Sequence, residues 1–163
     1  MLARAPRIAL EQWLAGGTVL PELRADLGKR QREREQARAL VQGDHVVWNK
    51  DIGFAWVRSE GDIDAALLLG TLPAALILAT RSIPKHPGRW ECKLRMGAVA
   101  PTGLTLFDLQ DRDPELSFGG RWNAGSNKYG HGGQLPGTAL SPERYASELE
   151  ARLARALASI IGA

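Results

Sequence analysis

The chain has 163 residues, enough for one domain or for one domain with a small appendage. Hydrophobic residues make up 44% and charged residues 24%, which excludes a collagen-like, coiled-coil or mostly disordered chain. Lys and Arg number 21 against 18 Asp and Glu, and the resulting +3 permits a nucleic-acid partner without requiring one.

A single cysteine, Cys92, excludes an internal disulfide and a multi-cysteine zinc site. The longest apolar patch, residues 65–79, is broken by Gly70, Thr71 and Pro73, so no membrane span is expected. The opening MLARAPRIALEQW lacks the apolar core and small-residue cleavage site of a signal peptide. A cytoplasmic location is the expectation. Ala, Arg, Leu and Gly dominate the composition, which is compatible with a GC-rich bacterial or mobile-element source.

Residues 7–15 are predicted as a short helix, with Ile8, Leu10, Trp13 and Leu14 near helical spacing and Gly16-Gly17 as its stop. Thr18 and Pro21 start a second helix, which Gly28 interrupts. A highly charged helix over 29–41 follows and ends at Gly43. The character changes at Asp44. Residues 45–49 and 54–58 are rich in Val and Trp around an Asn49–Gly53 turn, which predicts a β-hairpin. Residues 63–69 are a predicted short helix. Residues 72–79 suit a buried strand or a buried helix, and Pro73 leans toward the helix.

Residues 89–96 are the clearest strand, with Trp90, Cys92, Leu94 and Met96 alternating with Arg89, Glu91, Lys93 and Arg95. Residues 104–109 are a second predicted strand. A long glycine-rich segment, 111–138, has no strong periodicity. The chain closes with a helix capped by Ser141, with Pro142 at its first position and Tyr145, Leu149, Leu153, Leu157 and Ile160 as its buried stripe. The expected fold is α+β: a mainly antiparallel sheet packed by the C-terminal helix. A helical N-terminal segment (1–43) precedes an α+β body (44–163).

Three stretches carry candidate chemistry. Residues 17–30, GTVLPELRADLGKR, resemble the start of a helix-turn-helix, in which a tight turn lets a basic second helix meet phosphates and base edges. That resemblance implies that Lys29, Arg30, Arg32 and Arg34 face DNA. Arg34 departs from the motif, which places a branched apolar residue there. A helical hairpin with a solvated second helix is the plainer reading.

Glu91-Cys92-Lys93 resembles the E-x-K half of the PD-(D/E)xK nuclease pattern. Strand alternation puts Glu91 and Lys93 on one face, with Cys92 buried behind. The resemblance implies a carboxylate holding Mg²⁺ and a lysine that orients water or stabilises charge. No Pro-Asp precedes the triplet. Asp62 and Asp64 are the nearest earlier acids and fall at a helix start, so Asp108 is the candidate second metal carboxylate beside Glu91. The competing reading of Glu91 and Lys93 is an exposed cross-strand ion pair. Asp108, Asp111, Asp113 and Glu115 form an acidic cluster whose spacing does not match an EF-hand.

The third stretch is residues 118–133, FGGRWNAGSNKYGHGG. Its glycines permit close backbone approach to an anion. Arg121 and Lys128 add positive charge, Trp122 and Tyr129 add stacking faces, and His131 titrates in the range of a general base. It is neither a P-loop nor a dinucleotide fingerprint.

The expectation from sequence is therefore a small nucleic-acid-acting protein, specifically a Mg²⁺-dependent DNA nuclease. Glu91, Lys93, Asp108 and His131 are its catalytic candidates, and Lys29, Arg30, Arg32, Arg34, Arg121 and Lys128 its DNA contacts. The alternative is a non-enzymatic inhibitor or accessory protein that docks a protein partner through the charged helix and the Trp-rich hairpin.

Overall fold

A computed structural model describes residues 21–129 and 135–162. The predicted helix over 7–15 and the cap at Thr18 lie outside the described residues. The chain separates into two compact units between Gln36 and Ala37.

The first described element is helix α1, Pro21–Gln42. It runs without a break through Gly28, so the turn required by a helix-turn-helix is absent there. One glycine costs a helix only about 1 kcal/mol relative to alanine. Flanking i,i+4 pairs, Arg30 to Asp26 at 3.1 Å and Lys29 to Glu33 at 3.9 Å, support the continuous helix.

The second unit is built on a six-stranded sheet of order β1-β2-β3-β4-β6-β5. Strands β1 (Val46–Asn49) and β2 (Phe54–Arg58) form the expected hairpin. Its turn is closed by the Asn49 side chain, whose Oδ1 accepts the Asp51 N–H at 3.1 Å. A 3₁₀ turn, Ala65–Leu68, replaces the longer helix expected over 63–69; Asp64 caps it by accepting the Ala66 N–H.

Strand β3 (Leu76–Ser82) pairs parallel to β2 and antiparallel to β4 (Trp90–Met96). The lean toward a helix over 72–79 is thereby corrected. Leu76, Ile77, Leu78 and Ala79 are buried on both faces of a central strand, which makes a continuous apolar run without alternation. Pro73 precedes the strand and removes no ladder bond.

Residues 104–109 are also corrected. They hold a 3₁₀ turn, Leu106–Leu109, rather than a strand. Leu106 and Leu109 are both buried while Phe107 is 59% exposed, a spacing of three rather than two. Thr105 and Asp108 form a capping box at its start. The glycine-rich segment contributes the short hairpin of β5 (Gly119–Arg121) and β6 (Ala124–Ser126), with β6 pairing to β4.

Helix α2 (Pro142–Ile161) closes the chain with the expected Ser141 cap and Pro142 at its start. Tyr145, Leu149 and Leu153 are fully buried, and Leu157 and Ile160 pack at the edge of the same cluster. The α+β fold with a mainly antiparallel sheet and a C-terminal helix is therefore the observed one.

Alternation along the strands sorts the core into two clusters. Trp56, Leu76, Leu78, Cys92 and Leu94 lie on the face that packs α2 and the Leu106–Leu109 turn. Ala55, Val57, Ile77 and Ala79 lie on the other face with Ile63, Ala65, Leu68 and Ala37. On that second face β4 sets charged residues beside the apolar Ile77 and Ala79 of β3, and β3 itself turns charged at Arg81.

Candidate functional site

The register of β3 and β4 sets the site. Arg81 stands opposite Glu91, Ala79 opposite Lys93 and Ile77 opposite Arg95, so Arg81, Glu91, Lys93 and Arg95 share the second face. Cys92 points into the opposite core, as expected, and burial pushes its thiol up, with Glu91 adding to the rise and an Asn127 bond opposing it. It is no nucleophile.

Glu91 is the unexpected member. It is only 2% exposed, so the exposed ion pair read from the sequence is overturned. Its Oε2 accepts from Arg81 Nε at 2.6 Å and Nη2 at 2.5 Å, a two-point guanidinium bond. Lys93 Nζ lies 3.8 Å from Oε1. Among the described residues Oε1 has no hydrogen-bond partner.

A second layer of carboxylates sits above. Lys93 Nζ donates to Asp62 Oδ1 and, at 2.9 Å, to the Ile63 carbonyl. Arg81 approaches Asp62 at 3.6 Å, and Arg95 approaches Asp64 at 3.9 Å. The Lys93 bond holds the Asp62 carboxyl below its ordinary range, partial burial opposes it, and the charges of Lys93, Arg81 and Lys128 add to the lowering. Arg95 Nε is buried and has no partner among the described residues.

Beside this row lies a groove. Lys93, Arg95, Asp62, Asp64, Ser126, Lys128 and Tyr129 line it. Gly119, Gly120 and Gly125 line it with backbone. Gly120 has a φ of 146°, and a Cβ there would stand 2.1 Å from the Ala124 carbonyl oxygen, so only glycine fits. The loop after β6 is anchored to β4: Asn127 Oδ1 accepts the Cys92 N–H at 2.7 Å, and the Gly137 N–H donates to Asn127 O. Arg89 fastens the far end by donating to the carbonyls of Pro136 at 2.8 Å and Gly137 at 2.7 Å.

The remaining candidates fall elsewhere. Asp108 belongs to the 3₁₀ turn on the α2 side of the sheet, the opposite face from Glu91 and Lys93. Its Oδ2 accepts both the N–H and the hydroxyl of Thr105. Glu91 and Asp108 are therefore not brought together to share a Mg²⁺. Among the described residues no group of three His, Cys, Asp or Glu is gathered to hold a metal ion. His131 lies outside the described residues. Arg121 is exposed at the end of β5 and is not among the groove-lining residues. Lys29, Arg30, Arg32 and Arg34 are exposed on α1, within the other compact unit.

The acidic cluster is spent on local structure. Asp111 and Asp113 accept the N–H groups of Asp113 and Glu115, Arg152 pairs with Asp111 at 2.6 Å, and Glu115 binds Thr138 and the Ala139 N–H.

The fold has solved counterparts. No protein-family pattern matches the chain, and no curated protein matches it in sequence. A solved pGpG-specific phosphodiesterase from Vibrio cholerae superposes with a TM-score of 0.60 over 91% of this chain, at 10% identity. This chain spans 49% of that protein's length. An exopolyphosphatase-related protein from Bacteroides fragilis superposes with a TM-score of 0.43 over 76% of this chain and 34% of its own, at 13% identity. At these identities the likeness to the phosphodiesterase is one of fold.

Asp62 and Asp64 are the members that the sequence reading set aside. Asp64 caps the Ala65–Leu68 turn, while Asp62 lies in the irregular chain before it rather than at a helix start. What that reading missed is that the segment leading into this turn reaches β4, so Asp62 and Asp64 meet the two cations of the Lys93-x-Arg95 spacing.

Proposed function

We propose that this chain binds the phosphodiester of a short nucleotide in the β4 groove and serves phosphodiester hydrolysis. The observation that carries the reading is that Lys93, Arg95 and Lys128 line one groove together with glycine backbone. A phosphate there can take charge-assisted bonds from both strand cations, including the unpartnered Arg95 Nε, while the glycines allow it to approach the main chain. Tyr129, 75% exposed beside the groove and with Lys128 Nζ 5.7 Å from its ring centre, offers a stacking face for a base. Glu91 acts behind the groove: its bonds to Arg81 and its proximity to Lys93 set where the cations point.

The fold shared with a phosphodiesterase supports the hydrolase class. The described residues favour a short ligand over duplex DNA. The groove's cations are interleaved with Asp62 and Asp64, whereas a DNA-tracking surface gathers basic residues into a continuous stripe. Glu91 and Asp108 lie on opposite faces of the sheet and do not hold one metal between them.

The test is a competition. A fluorescent dinucleoside monophosphate without terminal phosphate is bound to the protein and challenged with unlabelled dinucleotide or plasmid DNA, and both ligands are incubated in Mg²⁺ and in EDTA to follow cleavage. Displacement and cleavage confined to the dinucleotide are expected. Plasmid cleavage with an untouched dinucleotide would return the DNA nuclease reading.

A further inference from the structure

The two layers of carboxylate around the β4 cations differ in a way that bears on which phosphates the groove accepts. Glu91 is fixed: it sits on a central strand, is almost wholly buried and holds Arg81 at two points. Asp62 and Asp64 sit on the irregular segment between β2 and the Ala65–Leu68 turn, and their side chains are 54% and 58% exposed. They reach Lys93, Arg81 and Arg95 from across the sheet and line the groove themselves. An anion entering the groove meets these two carboxylates on the same cations it needs.

We propose that Asp62 and Asp64 form a charge-selecting rim that favours phosphodiesters, with one negative charge per phosphate, over terminal phosphates and polyphosphates. The inference rests on the reading of the groove as a phosphodiester site. Lys93, Arg95 and Lys128 line the groove with Asp62 and Asp64, and Arg81 and Glu91 behind them balance each other, which leaves a single net positive charge around the groove. A diester monoanion is matched by that charge. It bonds to Arg95 and Lys128 and shares Lys93 with Asp62. A terminal phosphate carries about −1.5 to −2 at neutral pH. A polyphosphate carries more, and it binds only by driving both carboxylates off their partners or by lying against them, and like-charge contact is how sites reject a wrong ligand.

The test uses a dinucleoside monophosphate without terminal phosphate, and inorganic tripolyphosphate, titrated calorimetrically into the full chain and into a D62N/D64N variant. Asparagine keeps the shape of both side chains and remains a good cap for the 3₁₀ turn at position 64. Circular dichroism confirms that the variant is folded. The parent protein should prefer the diester. The variant should bind tripolyphosphate about tenfold tighter, roughly the effect of one decisive charge contact, with a much smaller change for the diester. An unchanged ratio of the two affinities, with the diester still bound, overturns the rim and leaves the groove reading standing. Failure of the parent and the variant to bind either ligand overturns both.

Discussion

At the residue scale, Glu91 governs the site without lining the groove. Removing one partner of a buried ion pair leaves the other uncompensated and costs about 3–5 kcal/mol. E91A should therefore lower unfolding stability in urea by an amount near that range, with E91Q milder because it still accepts from Arg81. Equal stability of E91A and the parent would show that the pair is not buried in solution. Asp62 gives a pH signature of the opposite layer. Its folded-state carboxyl titrates below the ordinary value of 3.8, so its contribution is complete above that value and is lost as pH falls through the lower folded value. A D62N variant should lose less stability than the parent between about pH 4 and pH 2 in acid-denaturation curves. Parallel curves would contradict the Lys93 bond. Part of this was legible in sequence. Strand alternation placed Glu91 and Lys93 on one face with Cys92 behind. It left open that β3 would set Arg81 opposite Glu91, because cross-strand register depends on contacts distant in sequence. Asp62 and Asp64 were visible as residues, but their meeting with β4 is a tertiary event.

At the scale of elements, the closeness of β4 to the chain before β3 is a strict requirement. A Cβ on Gly97, just after β4, would stand 1.9 Å from the Ala74 carbonyl oxygen. G97A should destabilise the protein by about 3 kcal/mol or more, since backbone rather than a side chain must shift. Thermal unfolding unaltered by G97A would rule out that approach. At the other end, Ser141 Oγ accepts the Arg144 N–H at 3.3 Å. S141A should cost about 1 kcal/mol in urea, the usual worth of a cap. The β1–β2 hairpin, β4 and α2 were readable because their periodicity is local and their turn or cap residues are explicit. Residues 72–79 and 104–109 were misread for different reasons. A strand buried on both faces has no alternation to detect, and Thr105, Phe107 and Leu109 alternating with Leu104, Leu106 and Asp108 imitate a strand until the capping box of Thr105 and Asp108 is given weight. Gly28 was overvalued as a breaker inside α1, where a helix of 22 residues absorbs it.

At the scale of the whole molecule, charge is divided by location rather than by amount. The modest excess of basic residues does not single out one binding face. The exposed cations of α1 are offset by Asp26, Glu33 and Glu35 on the same helix, while Lys93 and Arg95 of β4 and Lys128 line one groove. Binding there should weaken as salt rises, because ion pairs with the ligand displace counterions. The measurement that bears most directly on the groove is calorimetric titration of a dinucleoside monophosphate without terminal phosphate into the parent protein and a K93A/R95A variant, at two salt concentrations. The expected result is saturable, salt-sensitive binding to the parent that weakens at least about tenfold in the variant, as losing a charged hydrogen bond of about 1.5–3 kcal/mol implies. Equal affinity in the two proteins, or no binding to the parent at low salt, would contradict the assignment of the β4 groove as a phosphodiester site.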